Sequence, residues 1–395
     1  MSDPYLEEAP GALVSRRAFL GGTASALPLA YAAAHLDLAV AADRRGRLIV
    51  RQKDPDNLEF PFATLNSFIT PNDMFYVRNH FSVPKLDHRT WRLKVEGAVN
   101  KELELTYDQL RKLPARTVTA TLECSGNNRS YLRPPAKGVP WGLGAVGNAK
   151  WTGVPLAAVL ERAGAARSAV EVILEGADVG ELPAEPRPTG KVHFARSLPL
   201  SRAEKLEVLL AYRMNGHDLP TGHGFPLRAV VPGWYGVASV KWLRRLVVAT
   251  KPFTGFFQTF DYSYFTRYQG MADVVPVREM QVKAQIARPA AGEVVGAGSR
   301  YRVHGAAWTG DSEIARVEVS TDGGRSWHRA RLADKPARYA WCLWEYPWRT
   351  PSRPGAARLL ARATDARGRA QPLHRDPDRR NYMISHVLSV DVTVK

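Results

Sequence analysis

Thr121-Leu-Glu-Cys-Ser-Gly-Asn-Asn-Arg-Ser130 is the stretch on which the reading of this chain turns. Its first half continues an apolar, strand-like run, and its second half is a Gly-Asn turn that carries Arg129. Cys124 sits at the changeover. An isolated cysteine is ordinarily a small buried hydrophobe. A thiol that leaves a strand into a polar loop beside an arginine is instead in surroundings that favour thiolate and soft-metal ligation. With one sulfur from the protein, the remaining ligands of such a metal must come from an organic cofactor. The other cysteine, Cys342, has no matching ligand role and is expected to be buried in the C-terminal part. Two cysteines exclude a disulfide scaffold and any zinc or iron–sulfur site built from four cysteines. No CxxCH occurs, so no covalent c-type haem is expected in this chain.

On either side of this stretch, residues 43–274 mix both kinds of pattern. Trp91-Arg-Leu-Lys-Val-Glu-Gly97 alternates like a strand, Glu171-Val-Ile-Leu-Glu-Gly176 reads as a short buried strand, and Leu156–Ala163 reads as a helix stopped by Gly164. Proline and glycine punctuate the rest too often for a simple βα repeat, so the expectation is an α+β fold, a mixed α/β domain with long structured loops. The texture changes after about residue 275. Tyr301–Trp308, Ile314–Ser320, Ser326–Ala330, Trp341–Trp348, Arg358–Ala363 and His386–Val394 read as short strands at regular spacing, with Asp322-Gly-Gly324 as a hairpin signal. That pattern predicts an immunoglobulin-like β-sandwich over residues 275–395.

The 395 residues are 45% hydrophobic and 24% charged, which leaves ample core-forming material and argues against disorder, collagen or coiled coil. The charge balance is less ordinary, at +17. Such a surface favours anionic partners. The balance is −2 over residues 1–42, +10 over 43–274 and +9 over 275–395, so the excess is spread and not gathered into the basic stripe that nucleic acid would require. No nucleic-acid partner is expected.

Residues 1–42 read as an address. Ser15-Arg-Arg-Ala-Phe-Leu20 precedes a mildly apolar run of small residues, the pattern of a twin-arginine export signal. The run is too short and too weakly apolar for a good membrane span, and no other candidate span is found. Export in the folded state implies a periplasmic protein whose cofactor was inserted beforehand.

Two other motifs fail on context. Gly142-Leu-Gly-Ala-Val-Gly147 satisfies GxGxxG but is preceded by Pro140-Trp141 and is not followed by a helix pattern, so it reads as a glycine-rich loop. His217 and His223 lie in a Pro/Gly loop without a third ligand, which argues against zinc.

The chain as a whole resembles the sulfite oxidase family of molybdenum enzymes. The resembling segments are Asn72-Asp-Met-Phe-Tyr-Val-Arg-Asn-His-Phe81, Leu122–Arg129, Gly144–Gly153, His223-Gly-Phe-Pro-Leu-Arg228, Ser239-Val-Lys-Trp242, Asp322–Trp327 and Arg379-Arg-Asn-Tyr-Met383. The resemblance implies a molybdenum–molybdopterin cofactor with Cys124 as the thiolate on the metal. It makes Arg78, Arg129 and Arg380 (or Arg379, one register away) substrate-pocket arginines, Tyr262 the active-site tyrosine and Trp141 part of an aromatic wall. Converging guanidinium forks suit a tetrahedral oxyanion. Tyr76, Val77, Arg78, Asn79, His80, Asp178, His223, Arg228, Ser239, Val240 and Lys241 match pterin contacts.

The implied activity is oxidation of sulfite to sulfate by oxygen-atom transfer. No fused cytochrome b5 segment is found, so electrons are expected to pass singly to an external cytochrome c. The C-terminal sandwich is expected to support a homodimer. Two alternatives remain: an S- or N-oxide reductase on the same cofactor, and a non-catalytic secreted anion-binding protein.

Overall fold

The computed structural model describes residues 48–182 and 185–395. The expected signal at 1–42 lies outside the described residues. Local patterning accounts for the elements that form. Strand Arg92–Gly97 buries Leu93 and Val95 while Lys94 faces solvent, and strand Val390–Val394 buries its three valines between Asp391 and Thr393, the period-two alternation of a half-buried sheet. Helix Leu156–Ala163 buries Leu156, Val159, Leu160 and Ala163, spaced as one helical stripe, and stops at Gly164 with φ +66°.

The N-terminal part holds two five-stranded sheets. In the first, Arg116–Glu123, Val146–Pro155 and Leu209–Met214 are neighbours and antiparallel, and Leu209–Met214 also pairs with His217–Asp218 and Arg228–Val230. The second runs Leu103–Thr106, Arg92–Gly97, Leu243–Ala249, Glu171–Gly180, Val192–Pro199, parallel only between Leu243–Ala249 and Arg92–Gly97. Helices are few and short among the described residues: Tyr107–Arg111, Leu156–Ala163 and Leu200–Ala203. The expected α+β mixture is therefore corrected toward sheet. The Pro- and Gly-rich segments that looked neither helical nor extended became loops and single 3-10 turns, because proline removes the donor a longer helix needs.

The C-terminal part is a two-sheet sandwich. One sheet holds Lys283–Arg288, Arg300–Trp308, Cys342–Arg349 and Arg331–Leu332; the other holds Val294–Val295, Val390–Val394, Gly355–Asp365, Ile314–Ser320 and His328–Arg329. Val303, Val317, Val319, Trp344 and Leu359 fill the space between them, with Cys342 buried among them. The run expected as a strand over Ser326–Ala330 pairs only at His328–Arg329, because Ser326 is drawn to the Asp322 carboxylate, and the run from His386 pairs only from Val390. Gly323 and Gly324 take φ +77° and +97° in the hairpin between.

The hydrophobic core does not respect the division between the two parts. One cluster joins Leu93, Leu174 and Leu246 of the N-terminal sheets to Trp308, Trp341, Tyr382 and Met383. Among the described residues no helix is long and apolar enough to cross a membrane.

Candidate active site

Cys124 follows directly on strand Arg116–Glu123. Its N–H donates to Ala145 O at 2.8 Å and its carbonyl accepts from Asn127 N–H at 2.8 Å, which closes a turn beneath it. The residue is 6% exposed and lines a narrow pocket with a cavity volume of about 60 Å³. Short single-turn segments bring the other walls in. The turn Asn72–Met74 delivers Phe75, Tyr76, Arg78 and His80; the turns Thr221–His223 and Gly236–Ala238 deliver His223, Ser239, Val240 and Lys241; a π-turn, Phe256–Phe260, leads into Tyr262 at φ +48°. Asp178 and Arg228 complete the polar lining, from strands Glu171–Gly180 and Arg228–Val230.

Charge is unevenly placed. Arg78, Arg228 and Lys241 line the pocket, and Asp178 is the single carboxylate that does so. Arg228 donates to His223 O and Ser239 O, both at 3.0 Å, and lies 4.9 Å above the Trp151 ring. Lys241 Nζ donates to Asn79 Oδ1 and to Gly222 O, the latter at 2.8 Å. Burial, reinforced by Arg228, drives the Lys241 ammonium well below the lysine range. Burial also brings the Arg228 guanidinium down to about 10 and lifts the Asp178 carboxyl to about 6, against the pull of Lys241. Both histidines are held neutral: His223 falls to about 3 through burial, Lys241 and Arg228, and His80 falls well below its ordinary value through burial and Arg78. The Tyr262 hydroxyl accepts from Arg78 Nη2 at 3.2 Å, lies 2.6 Å from His80 Nε2, and is pushed up to about 12 by burial.

The pocket thus brings together Cys124, Tyr76, Arg78, His80, Asp178, His223, Arg228, Ser239, Val240, Lys241 and Tyr262. Five residues singled out in the sequence lie behind or beside its lining. Val77 exchanges backbone bonds with Leu58, and Asn79 is buried, accepting from Lys241 while its backbone N–H donates to Asn57 Oδ1 at 2.9 Å. Trp141 is fully buried and stands edge-on to Tyr76 at 6.4 Å. Arg129 is turned onto Val139 O at 2.9 Å and Asn381 O at 3.2 Å. Arg380 is exposed and outside the lining, donating to Ser263 Oγ at 2.9 Å and Ser263 O at 3.3 Å, the residue after Tyr262. Its neighbour Arg379 is paired with Asp376 at 3.1 Å and lies 4.4 Å from the centre of the Tyr264 ring. Phe75, Leu122, Phe194, Val237 and Trp242 also line the pocket and were not singled out, because apolar residues in such segments carry no chemical signal that separates wall from core. Among the described residues no three His, Cys, Asp or Glu side chains are grouped as a metal cage, so a metal here would depend on Cys124 and a cofactor's own ligands.

Over residues 80–257 the chain matches the family model described as oxidoreductase molybdopterin binding domain, and over 275–384 the one described as Mo-co oxidoreductase dimerisation domain. It is 38% identical over 349 residues to the sulfite oxidase of Gallus gallus, covering 83% of this chain and 74% of that one. The chain belongs to the sulfite oxidase family of molybdenum enzymes. Family likeness extends to the Arabidopsis thaliana sulfite oxidase, at 33% identity with 83% of this chain and 89% of that one covered. The chain spans 62% of the mitochondrial sulfite oxidase of Mus musculus, at 37% identity. Among solved structures it is similar to the sulfane dehydrogenase SoxCD of Paracoccus pantotrophus, with a TM-score of 0.76, 25% identity and 97% and 96% of the two chains covered.

The pocket fits the family's molybdenum–molybdopterin. Cys124 offers a sulfur on its wall. The buried cations lack enough carboxylate to balance them, and an anionic pterin phosphate would supply that balance at Arg228 and Lys241. Two buried polar atoms, Asp178 Oδ1 and Asn79 Nδ2, have no partner within the protein, and a polar pterin would give them one.

Proposed function

We propose that this member of the sulfite oxidase family oxidises sulfite to sulfate, SO₃²⁻ + H₂O → SO₄²⁻ + 2 H⁺ + 2 e⁻, and passes the electrons one at a time to an external cytochrome c. When bound, the molybdenum centre supplies the oxygen-atom transfer and the redox chemistry. The chain's own residues bind and orient. Arg78, held against Tyr262 at 3.2 Å, presents guanidinium N–H groups to an oxyanion entering beside Cys124. Tyr262, kept protonated by burial, retains a proton to donate to that anion. Neutral His80 fixes the Tyr262 hydroxyl and adds no charge. Arg380, exposed and bonded to Ser263 next to Tyr262, adds positive charge that attracts anions to this side of the protein.

The observation that carries this reading is a buried thiol and a half-buried arginine bonded to a buried tyrosine on the walls of one cation-rich pocket. The test is sulfite-dependent reduction of cytochrome c by protein matured with molybdenum cofactor. Turnover supports the reading, and a loaded protein that reduces no cytochrome c with sulfite rejects it. The likeness to a sulfane dehydrogenase over nearly the whole of both chains favours a second reading, in which the sulfur oxidised is a sulfane sulfur. Activity with a persulfide and none with sulfite would select it. Methyl viologen oxidation with sulfoxides would select the reductase alternative.

We further read the C-terminal sandwich as immunoglobulin-like and as the surface of a homodimer, which sedimentation of the full chain tests. The twin-arginine segment sends the protein to the periplasm on this reading. Arg16→Lys with Arg17→Lys should leave activity in the cytoplasmic fraction, and unchanged export would reject the assignment.

A further inference from the structure

A buried ion pair links the sandwich to the cysteine loop. Lys283 Nζ lies 2.7 Å from Glu123 Oε1, with side chains 2% and 1% exposed. The other carboxylate oxygen, Glu123 Oε2, accepts from Trp308 Nε1 at 2.8 Å. Lys283 and Trp308 both belong to the sandwich strands, 160 and 185 residues from Glu123. Glu123 Oε1 also accepts from Asn127 Nδ2 at 3.1 Å, and Asn127 Oδ1 accepts from the N–H of Ala145 at 3.1 Å. Ala145 is the residue whose carbonyl receives the Cys124 N–H, and Asn127 N–H donates to the Cys124 carbonyl. One carboxylate therefore anchors both flanks of Cys124. A third clamp comes from Met383, whose N–H donates to Ser125 O at 2.7 Å.

We propose that Glu123, Lys283 and Trp308 are positioning residues for the Cys124 sulfur, so that the sandwich sets the placement of the metal's protein ligand as well as packing against its domain. Well-packed apolar side chains in place of a fully buried ion pair are often no less stable, so stability alone does not account for the charges. Directional bonds to a fixed carboxylate do restrict the rotation of the turn that carries the thiol. Groups behind a metal ligand tune its orientation, and their loss typically lowers activity or metal affinity by about 10–100-fold.

The inference rests on the reading of Cys124 as the metal's thiolate, and the experiment separates the two. The sulfur-to-molybdenum charge-transfer absorption, molybdenum content and thermal midpoint are measured on full-length loaded protein. The proteins compared are the wild type, Lys283→Met, and the double variant Glu123→Gln with Lys283→Met, which removes the charges as a neutral pair. Positioning predicts a double variant that unfolds within a few degrees of wild type and holds molybdenum, yet has a displaced absorption band. Its kcat falls about 10–100-fold while KM stays within about twofold. In cofactor-free protein carrying Cys342→Ser, alkylation of Cys124 quickens by about tenfold or more on the same substitutions. A double variant with the wild-type band, kcat and alkylation rate overturns the inference and leaves the ligand reading intact. A wild type full of molybdenum but without the band overturns both. If neither charge variant folds, Trp308→Phe removes one donor only, and an unchanged band there is equally fatal.

Discussion

The tasks proposed for Cys124, Arg78 and Tyr262 are separable, and substitution should separate them. Cys124→Ser is expected to lower kcat by at least about 1,000-fold while the fold and the pterin contacts proposed for Arg228 and Lys241 persist; near-native turnover at full molybdenum content would refute the ligand assignment. Tyr262→Phe removes the hydroxyl that meets Arg78 and His80 and should cost about 100-fold in kcat, the size expected for one donor aimed at a reacting anion. A pH effect follows from His223, buried beneath Lys241 and Arg228 and titrating near 3 against 6.5 for a free histidine. Between those values the unfolded chain binds the extra proton and the folded chain does not. Stability of the cofactor-free protein is therefore complete above about pH 6.5 and declines as pH falls toward 3. His223→Gln should reduce the dependence of thermal midpoint on pH in that window, leaving the part due to His80. At this scale much was legible in advance. Cys124 announced itself by a thiol at a strand-to-loop change, and His223, Arg228 and Lys241 by basic residues in a motif. Glu123 and Lys283 were not legible, because a lone carboxylate at the end of one strand and a lysine 160 residues away look like solvated charges until the fold joins them.

Single-turn segments do most of the positioning at the level of elements, and glycines let them pass one another closely. A Cβ on Gly144 would lie 1.7 Å from Phe60 O, and one on Gly147 would lie 2.6 Å from the Phe75 ring. Glu59 accepts from both Gly142 N–H and Gly144 N–H at 2.8 Å. The GxGxxG spacing over 142–147 therefore serves close crossing of the Glu59–Phe75 region and not phosphate recognition. Gly144→Ala should destabilise the protein by about 3 kcal/mol, the upper range for forced overpacking, because the obstructing atom is backbone. Urea unfolding checks it, and a loss under about 1 kcal/mol would contradict the crossing. Regular elements were readable from the sequence wherever a full period repeats, as in Leu156–Ala163 and Ile314–Ser320. The turns that carry the pocket were readable only as loops, since three-residue helices have no period to detect.

Across the molecule, the two parts share one core through Trp308, Trp341, Tyr382 and Met383. Residues 43–274 expressed alone should aggregate or lose near-ultraviolet tryptophan dichroism, and a soluble, cooperatively folded fragment would contradict a shared core. The sequence division near residue 275 marks a change of strand pattern, and packing crosses it in one cluster while a second cluster lies wholly within the sandwich. Charge scale and charge placement also part company: the +17 of the chain is a surface property, whereas the pocket's cations are a local imbalance under burial. That imbalance has a consequence for the life of the protein in the cell. A chain whose pocket cations are balanced by Asp178 alone is the weaker of its two forms, and a tightly bound anionic cofactor stabilises it by mass action as any tight ligand does. Proteases that sample transient openings would then remove empty chains faster than filled ones. The amount of this protein in the cell should accordingly track pterin supply even at constant transcription, so that degradation serves as an inspection of whether each chain has been filled.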